Sequence, residues 1–333
     1  MRKNTLSLAA IATGAALALS ACGGVQNTAG GGSDSGEYPT GAVEMPVGAS
    51  AGGSSDLISR QVSAGLAEEL GGSFPVINRE GANGALAAAE VADAEPDGSV
   101  ISVQNASLFA ITPLAVGEDE VTSIDDFDVV MGVSRDDYVL VASTGSGFES
   151  VDDFADAEGK VTYGTTGVGT GAQLACALTF NVNDTSAEAI PFDGGAPALT
   201  ALLGNQVDTA CLQVGEAIEN IEAGKIVPIT VFGPERVEFL PDVPTAQEQG
   251  LDVEVAQYRF MTVPKGTPQD VQDAIAEAMQ ATFETEEYQA FNEQNNLTPM
   301  EIPGDEVVAQ LEEDTQRYAD LVAEYGIDLG SAS

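Results

Sequence analysis

The sequence contains no histidine and no tryptophan. Without histidine the chain has no Ser-His or Cys-His pair for nucleophilic catalysis and no His-ligated metal site. Ser54, Ser55 and Thr165 follow predicted strands, but no motif places a lysine beside them as a base. The sequence therefore argues against an enzyme and predicts neither a cofactor nor a metal.

Positive charge is also scarce, because 11 Lys and Arg stand against 53 Asp and Glu and give a net charge of −42. So few cations cannot neutralise the phosphates of a nucleic acid, which excludes nucleic acid as a partner. We interpret the acidity as a property that keeps the protein soluble and not as a binding feature.

The N-terminus has the pattern of a bacterial lipoprotein signal. Arg2 and Lys3 precede an apolar run from Leu6 to Leu19 that is too short to span a bilayer as a helix. The run ends in Leu19-Ser20-Ala21-Cys22, where small residues mark a cleavage site and the Cys22 thiol would carry the lipid. The alternative is an ordinary signal peptide with an incidental cysteine. We predict a signal peptide over residues 1–21 and a lipid-anchored flexible tether over 22–41, whose Gly- and Ser-rich composition cannot bury a core.

The body from residue 42 onward has no second long apolar run, so it is predicted not to be an integral membrane protein. Short β-rich runs alternate with helical periods, which indicates an α/β fold with mainly parallel sheets. The clearest helix has apolar residues spaced by four at Ile58, Val62, Leu66 and Leu70. Predicted strands include 43–47, 75–78, 100–103, 129–133, 138–142, 161–163, 187–191, 207–212, 226–231 and 253–263, and predicted helices include 85–92 and the C-terminal stripes that begin at Val271 and Val307.

Two of these strands are expected to cross between lobes, near Tyr138 and Tyr258. Such crossings would produce a two-lobed clamshell with a ligand cleft and a hinge. We predict lobe 1 over residues 42–137 and 257–333 and lobe 2 over residues 138–256. Cys176 and Cys211, which lie in the exported part, either form a disulfide or remain two separate buried thiols.

Three turns share one pattern in which a strand ends, small residues follow and a helix begins: Gly52–Asp56, Gly164–Gly171 and Asp193–Ala196. The first helical turn has unpaired N–H groups and favours negative charge, and open α/β sheets bind ligands at the carboxyl ends of their strands. The turns could therefore hold a carboxylate without Lys or Arg. A nucleotide is disfavoured, because no Lys-Ser/Thr follows Gly171 and the dinucleotide glycine spacing is missing.

The body resembles the substrate-binding proteins of tripartite tricarboxylate transporters, the Bug family, from about residue 43 to 328. The markers are Ala51-Gly52-Gly53-Ser54-Ser55-Asp56, Asn78-Arg79-Glu80-Gly81-Ala82-Asn83-Gly84, Pro96-Asp97-Gly98, Val161-Thr162-Tyr163-Gly164, Gly195-Ala196-Pro197-Ala198-Leu199, Leu203-Gly204-Asn205-Gln206-Val207-Asp208, Ala223-Gly224-Lys225 and Leu240-Pro241-Asp242-Val243-Pro244-Thr245. The resemblance implies a periplasmic-binding-protein fold of the Venus flytrap, type II-like kind, which closes on a carboxylate held by backbone amides, small polar side chains and waters.

Carried over by position, the resemblance gives a ligand-binding set from both lobes. The set consists of Gly53, Ser54, Ser55, Asp56, Asn105, Ser107, Thr165, Thr166, Gly169, Thr170, Gly171, Asp193, Gly194 and Gly195. Gln173 stands where the family commonly has His, and Asp193 where it commonly has Lys. Asp193 leaves room for a monocarboxylate, or for an amino or amide-bearing acid whose cation it would pair. Alternatively Asp193 faces solvent or caps the next helix, and Asp56 caps the helix that it precedes.

The resulting interpretation is a receptor anchored outside the cell membrane that binds a small mono-, di- or tricarboxylate. It would deliver this ligand to the permease subunits of a tripartite tricarboxylate transporter, which would recognise the closed form. We expect a monomer. The alternatives are a ligand-sensing subunit for a membrane sensor kinase and a hydrolytic enzyme.

Overall fold

The computed structural model describes residues 38–330. The predicted signal peptide, Cys22 and most of the predicted tether lie outside these residues. Strands are β1 (Met45–Val47), β2 (Val76–Asn78), β3 (Ser102–Asn105), β4 (Phe127–Ser143), β5 (Val161–Thr165), β6 (Ala187–Pro191), β7 (Thr209–Gln213), β8 (Ile226–Val231), β9 (Ala256–Pro264) and β10 (Thr298–Pro299). Helices are α1 (Ser54–Glu69), α2 (Ala85–Ala92), α3 (Ala106–Ala110), α4 (Gly171–Val182), α5 (Gly195–Leu203), α6 (Val214–Glu222), α7 (Gln269–Phe283), α8 (Glu286–Asn295) and α9 (Gly304–Tyr325).

Helix α1 forms where its apolar spacing predicts it. Ile58, Val62 and Leu66 are buried in a core that they share with Met45 of β1. The helix ends before Gly71 and Gly72, which both have positive φ, a conformation that glycine adopts without a steric penalty. One apolar stripe thus fixes α1 against β1 and brings its N-terminus to the end of that strand.

Strand β4 is one continuous strand of 17 residues, so the prediction of two strands over 129–133 and 138–142 was wrong. The charged residues Arg135, Asp136 and Asp137 interrupt the apolar pattern without interrupting the strand. Arg135 Nε lies 2.9 Å from Asp137 Oδ1, and Asp136 pairs with Arg259 of β9. Because each buried charge has an opposite charge beside it, the backbone continues through the segment.

The two halves of β4 belong to different strand ladders. Residues from Phe127 to Asp137 pair antiparallel with β9, and β9 in turn pairs with β3. From Tyr138 onward β4 pairs with β7 and β8 instead, and β5 joins β7 to β6 with parallel pairing. The change of partner at Tyr138 coincides with the predicted crossing between lobes. Just before β9 begins at Ala256, the Val255 N–H donates to the carbonyl of Phe232, which follows β8.

Helix α9 packs against β4 and beside the start of β9. Tyr258 Oη donates to Asp314 at 3.0 Å, and the Ala256 N–H donates to Tyr318 Oη at 3.1 Å. The helix ends at Gly326, which has a left-handed conformation that glycine adopts without a steric penalty. Helix α7 begins at Gln269, after the N-cap Pro268. Helix α9 is thus hydrogen-bonded to the first residues of β9.

Cys176 of α4 and Cys211 of β7 form a disulfide with a Cα–Cα distance of 5.9 Å. Both residues lie in the fully buried core. Within residues 38–330 we found no helix whose length and apolar character would let it cross a membrane.

Candidate functional site

The first predicted turn leads into α1 and faces charged side chains on β4 and β9. Gly53 is the N-cap of α1, and Ser54 and Ser55 are its first residues. Ser54 Oγ donates to Asp136 Oδ2 at 2.9 Å, and Ser55 Oγ accepts from Arg259 Nε at 2.9 Å. The N-terminus of α1 is therefore fixed against the two strands that run between the lobes.

Asp56 has a structural role in the same turn. It is 1% exposed and accepts hydrogen bonds from Gly52 N–H at 2.9 Å, Asn78 Nδ2 at 2.8 Å and Arg60 Nε at 3.0 Å. Desolvation raises the pKa of this carboxyl, but the hydrogen bonds from Arg60, Gly52 and Asn78 outweigh it and leave the pKa lowered. Asp56 is not the N-cap that one alternative predicted, because Gly53 holds that position and Asp56 lies within the first turn.

Asn105 and Ser107 lie together after β3. Asn105 is the N-cap of α3, since its Oδ1 accepts from the Leu108 N–H at 3.0 Å and from Ser107 Oγ at 2.8 Å. Ser107 Oγ also accepts from Asn83 Nδ2 at 3.0 Å and from Gln257 Nε2 at 3.2 Å. The two predicted residues thus belong to one polar network.

Asn83 links this network to the second predicted turn. Its Nδ2 lies 3.0 Å from Thr112 Oγ1 and 3.3 Å from the carbonyl oxygen of Gly169. Thr112 Oγ1 also donates to the Gly169 carbonyl, at 3.1 Å. Asn83 has a φ of 52°, a left-handed conformation that Asn tolerates better than most residues. Gly169, in the turn before α4, is therefore in direct contact with Asn83 and Thr112, which belong to the polar network after β3.

The turn between β5 and α4 is held largely by its own atoms. Thr170 is the N-cap of α4, and its Oγ1 donates to the Gly167 carbonyl at 2.9 Å. The fully buried Thr165 donates to the same carbonyl at 3.3 Å. The Gly169 N–H donates to Gln173 Oε1 at 2.7 Å. Gln173 therefore stabilises the turn from inside.

The third predicted turn, before α5, is joined to the second. The Gly194 N–H donates to the carbonyl of Thr166 at 3.2 Å. Gly194, with a φ of 101°, is the N-cap of α5. Asp193 is exposed and does not cap the helix, so the structure agrees with the solvent-facing alternative.

Two glycines allow close approach of the turns to neighbouring side chains. A Cβ on Gly171 would lie 2.6 Å from Tyr138 Oη, and a Cβ on Gly195 would overlap the carboxylate of Glu216. Side-chain carbon atoms do not approach other atoms so closely, so Gly171 leaves room for the Tyr138 ring. At Gly195 the nearest atoms belong to the end of the flexible Glu216 side chain. The starts of α4 and α5 are thereby packed against the crossing segment of β4 and the first turn of α6.

Asp136, Glu216 and Arg259 form a charged group among the three turns, which we call the charged trio. Arg259 Nη1 and Asp136 Oδ2 are 2.5 Å apart, and each side chain is only 4% exposed. Asp136 Oδ1 is buried and has no hydrogen-bond partner among residues 38–330. Burial raises the pKa of Glu216 to about 7, and the Asp136 charge adds to the rise, while the Gln213 N–H and Arg259 oppose it.

The sequence predictions missed the charged trio, Asn83 as a contact residue, and Gln257. One signal was available, since Arg135-Asp136-Asp137 stands between two apolar runs and Arg259 lies inside an apolar strand. Charged residues at such positions are buried only when they are paired or functional.

The arrangement can hold charged groups but offers no familiar catalytic set. Within residues 38–330 no cluster of Asp, Glu or Cys has a geometry that would hold a metal ion. A cavity lined by Gly48, Ser55, Gly84 and Asn105, among others, measures about 10 Å³, which is the space of one water. The starts of α1, α4 and α5 favour an anion, and the Asp136 and Glu216 carboxylates favour a cation.

Comparison with known proteins gives consistent matches. The family model described as "Tripartite tricarboxylate transporter family receptor" matches residues 58–327. A UPF0065 protein of Agrobacterium vitis, from the TAR-I ttuE-ttuC' intergenic region, is 31% identical over 254 residues, which are 74% of this chain and 72% of that protein.

Two solved structures show the same fold. The periplasmic binding protein BugD is 26% identical with a TM-score of 0.77, and the match covers 87% of this chain and 99% of that one. MatC from Rhodopseudomonas palustris with bound malate is 26% identical with a TM-score of 0.77, and the match covers 86% of this chain and 100% of that one. These likenesses confirm the predicted two-lobed α/β periplasmic-binding-protein fold with a cleft between the lobes.

Proposed function

Because the chain belongs to the tripartite tricarboxylate transporter receptor family, we propose that it captures a small carboxylate outside the cell membrane and delivers it to a membrane permease of that transporter type. The ligand would lie in the cleft between the lobes. The family is one of transporter receptors, and binding without chemical conversion of the ligand is part of the proposal.

The observation that carries the proposal is the convergence of three helix starts. Helices α1, α4 and α5 begin at Ser54, Gly171 and Gly195, and each start contacts the crossing segment of β4 or the charged trio. The N–H groups of a first helical turn have no partner within the helix, and the helix dipole favours negative charge there.

A relative supports the ligand class. MatC, whose structure contains malate, shares 26% identity over most of both chains. Malate is a small carboxylate, so the same class is the simplest proposal for this chain. We include the sequence-predicted ligand-binding set in the proposal, with two qualifications from the geometry. Asp56 is occupied by Gly52, Arg60 and Asn78, and Asp193 is exposed.

The division into lobes at residues 42–137 with 257–333, and at 138–256, is part of the proposal. The change of β4 pairing from β9 to β7 and β8 at Tyr138 supports it. The contacts of Asn83 and Thr112 with Gly169 would form when the lobes close. A ligand that stabilises this closed form would raise its population, and the permease would recognise it. Lipidation at Cys22, the tether over 22–41 and a monomeric state complete the proposal.

The first experiment is thermal unfolding monitored with a dye. The protein would be freed of carried ligand by partial unfolding, then tested with acetate, succinate, malate, citrate, amino acids and phosphate. A ligand at about a hundred times its Kd adds about 2.7 kcal/mol of stability, which raises Tm by several degrees. A rise with one carboxylate class is expected. No response to any acid would contradict the proposal.

Delivery to a permease requires a second experiment in cells. Deletion of the permease genes is expected to abolish uptake of the acid that stabilises the receptor. Unchanged uptake would contradict the transport role and would favour the sensor alternative.

A further inference from the structure

The charged trio has more negative than positive groups. Arg259 donates from Nε to Ser55 and from Nη1 to Asp136, so its charge is shared with one of the two acids. Glu216 accepts only from the Gln213 N–H, at 3.3 Å, which belongs to the cap of its own helix. Glu216 lies near Asp136 because Gln213, whose N–H it accepts, pairs with Tyr138, two residues after Asp136 on β4. One arginine therefore serves two neighbouring carboxylates.

Asp136 also has an acceptor atom that the protein does not use. Its Oδ2 accepts from Ser54 and Arg259, while Oδ1 is buried without a partner in a side chain that is only 4% exposed. A buried charged oxygen without a donor is costly, and such groups in native proteins require an explanation. Asp136 lies among the starts of the helices to which we assign the ligand carboxylate, so a donor on the ligand would satisfy Oδ1.

Glu216 makes the same place unfavourable for a second acid group. Its carboxylate contacts Gly195 at the start of α5, and no cation other than Arg259 acts on it. Two carboxylates that share a site repel each other, and one must take up a proton. A cationic group on the ligand would instead be attracted by Glu216 and by Asp136.

We propose that the ligand carries a protonated nitrogen in addition to its carboxylate, and that Asp136 and Glu216 bind this nitrogen. The inference rests on the proposed function, since it assumes that the carboxylate binds at the helix starts. It assigns to the buried Asp136 and the partly buried Glu216 the pairing role that the sequence suggested for Asp193, which is exposed.

The test compares acids that differ only in one substituent. Succinate, malate and aspartate share a four-carbon chain that carries no group, a hydroxyl or an amine. Butyrate, 4-hydroxybutyrate and 4-aminobutyrate form the monocarboxylate set. Affinities would be measured by calorimetric titration of the ligand-free protein. A charge-assisted hydrogen bond corresponds to a factor of roughly ten or more in affinity, so the amino member of at least one set is expected to bind tenfold more tightly than the others.

The variants Asp136→Asn and Glu216→Gln are each expected to reduce this preference by roughly tenfold. Asp136→Asn leaves Arg259 with a weaker partner and could fail to fold, so Glu216→Gln is the second, independent variant. Glu219→Gln is the matched control, because Glu219 is an exposed acid on the same helix.

The outcomes separate the two proposals. Tighter binding of the unsubstituted or hydroxy acid than of the amine would overturn the inference and leave the carboxylate receptor intact. An amine preference that survives in Glu216→Gln and in folded Asp136→Asn would also overturn it. Binding of no acid from either set, or of phosphate alone, would overturn the inference together with the proposed function.

Discussion

Arg259 and Asp136 lie 123 residues apart in the sequence and form a buried ion pair between β9 and β4. Asp136 lies next to Asp137, after which β4 changes partners, and Arg259 lies three residues after Ala256, where β9 begins. A single contact therefore joins the two connections between the lobes, and Ser54 and Ser55 attach the start of α1 to it.

Loss of the arginine should be strongly destabilising. Arg259→Met would leave the buried Asp136 carboxylate without its cation, and breaking a buried pair in this way costs about 3–5 kcal/mol. Denaturant unfolding would measure the loss. The double variant Arg259→Met with Asp136→Leu is expected to recover much of it, because no uncompensated charge remains. If the single variant unfolds like the wild-type protein, the pair is not a buried structural contact.

Glu216 should make the stability of the ligand-free protein fall with rising pH. Its pKa is about 7 in the folded state against an ordinary value of 4.5, because burial and the Asp136 charge disfavour the ionised form. Between these two pH values the folded protein binds more protons than the unfolded chain. Stability therefore decreases as pH rises from about 4.5 to about 7, by up to about 3 kcal/mol.

The measurement compares unfolding free energies of the wild-type protein and Glu216→Gln at pH 4.5 and pH 8. Glutamine has no charge to bury. From pH 4.5 to pH 8 the free energy of unfolding of the variant, relative to that of the wild type, should therefore increase by about 3 kcal/mol. Glu219→Gln serves as the control. A constant difference between wild type and variant across this range would show that the Glu216 carboxyl is not desolvated.

Gly171→Ala should destabilise the contact between α4 and β4. The new methyl group would lie 2.6 Å from Tyr138 Oη, and overpacking of this kind costs about 1–3 kcal/mol. Gly41→Ala is the control, since no atom lies within 4 Å of the position that its Cβ would occupy. Thermal unfolding of both variants would test this, and equal Tm values for the two would refute the close contact.

Asn83→Asp should favour separation of the lobes. The variant keeps the left-handed backbone that Asp tolerates but loses the amide that donates to Ser107, Thr112 and Gly169. A carboxylate would then face the Gly169 carbonyl. We expect a larger radius of gyration in small-angle scattering and a roughly tenfold loss of ligand affinity, because the closed form is less populated.

The control for this variant is Asn205→Asp. Asn205 has a similar φ of 53°, but its Oδ1 accepts from the Gly145 N–H, a role that Asp retains. Scattering and affinity equal to the wild type are expected for Asn205→Asp. The same result for Asn83→Asp would mean that its contacts do not hold the lobes together.

Local sequence signals predicted much of the fold. Helix α2 and strands β6 and β8 have the predicted bounds, because their apolar residues and flanking breakers agree. Helix α8 was not predicted, because its sequence has no apolar stripe; of its residues only Tyr288 and Asn292 are buried. The short helix α6 follows β7 without an intervening turn, so its few apolar residues could not be distinguished from the strand.

The candidate site was predicted in part. Glycine and small polar residues after strands identified the starts of α1, α4 and α5, since turn chemistry is local. The charged trio could not be found this way. The partners Asp136 and Arg259 meet only through the register of β4 on β9, and Glu216 meets Gly195 only through the packing of α6 on α5. Such contacts depend on tertiary structure that a single sequence does not specify.

Strand β4 serves two ladders with one unbroken backbone, and this limits how the molecule can move. In the proposed division into lobes, a rotation of one lobe against the other would be taken up by the peptide units around Arg135, Asp136 and Asp137. The side chain of Asp136 on this pivot is also one of the groups to which we assign the ligand. A ligand that binds Asp136 would therefore contact the hinge between the two lobes directly. Ligand binding and lobe closure would then occur together.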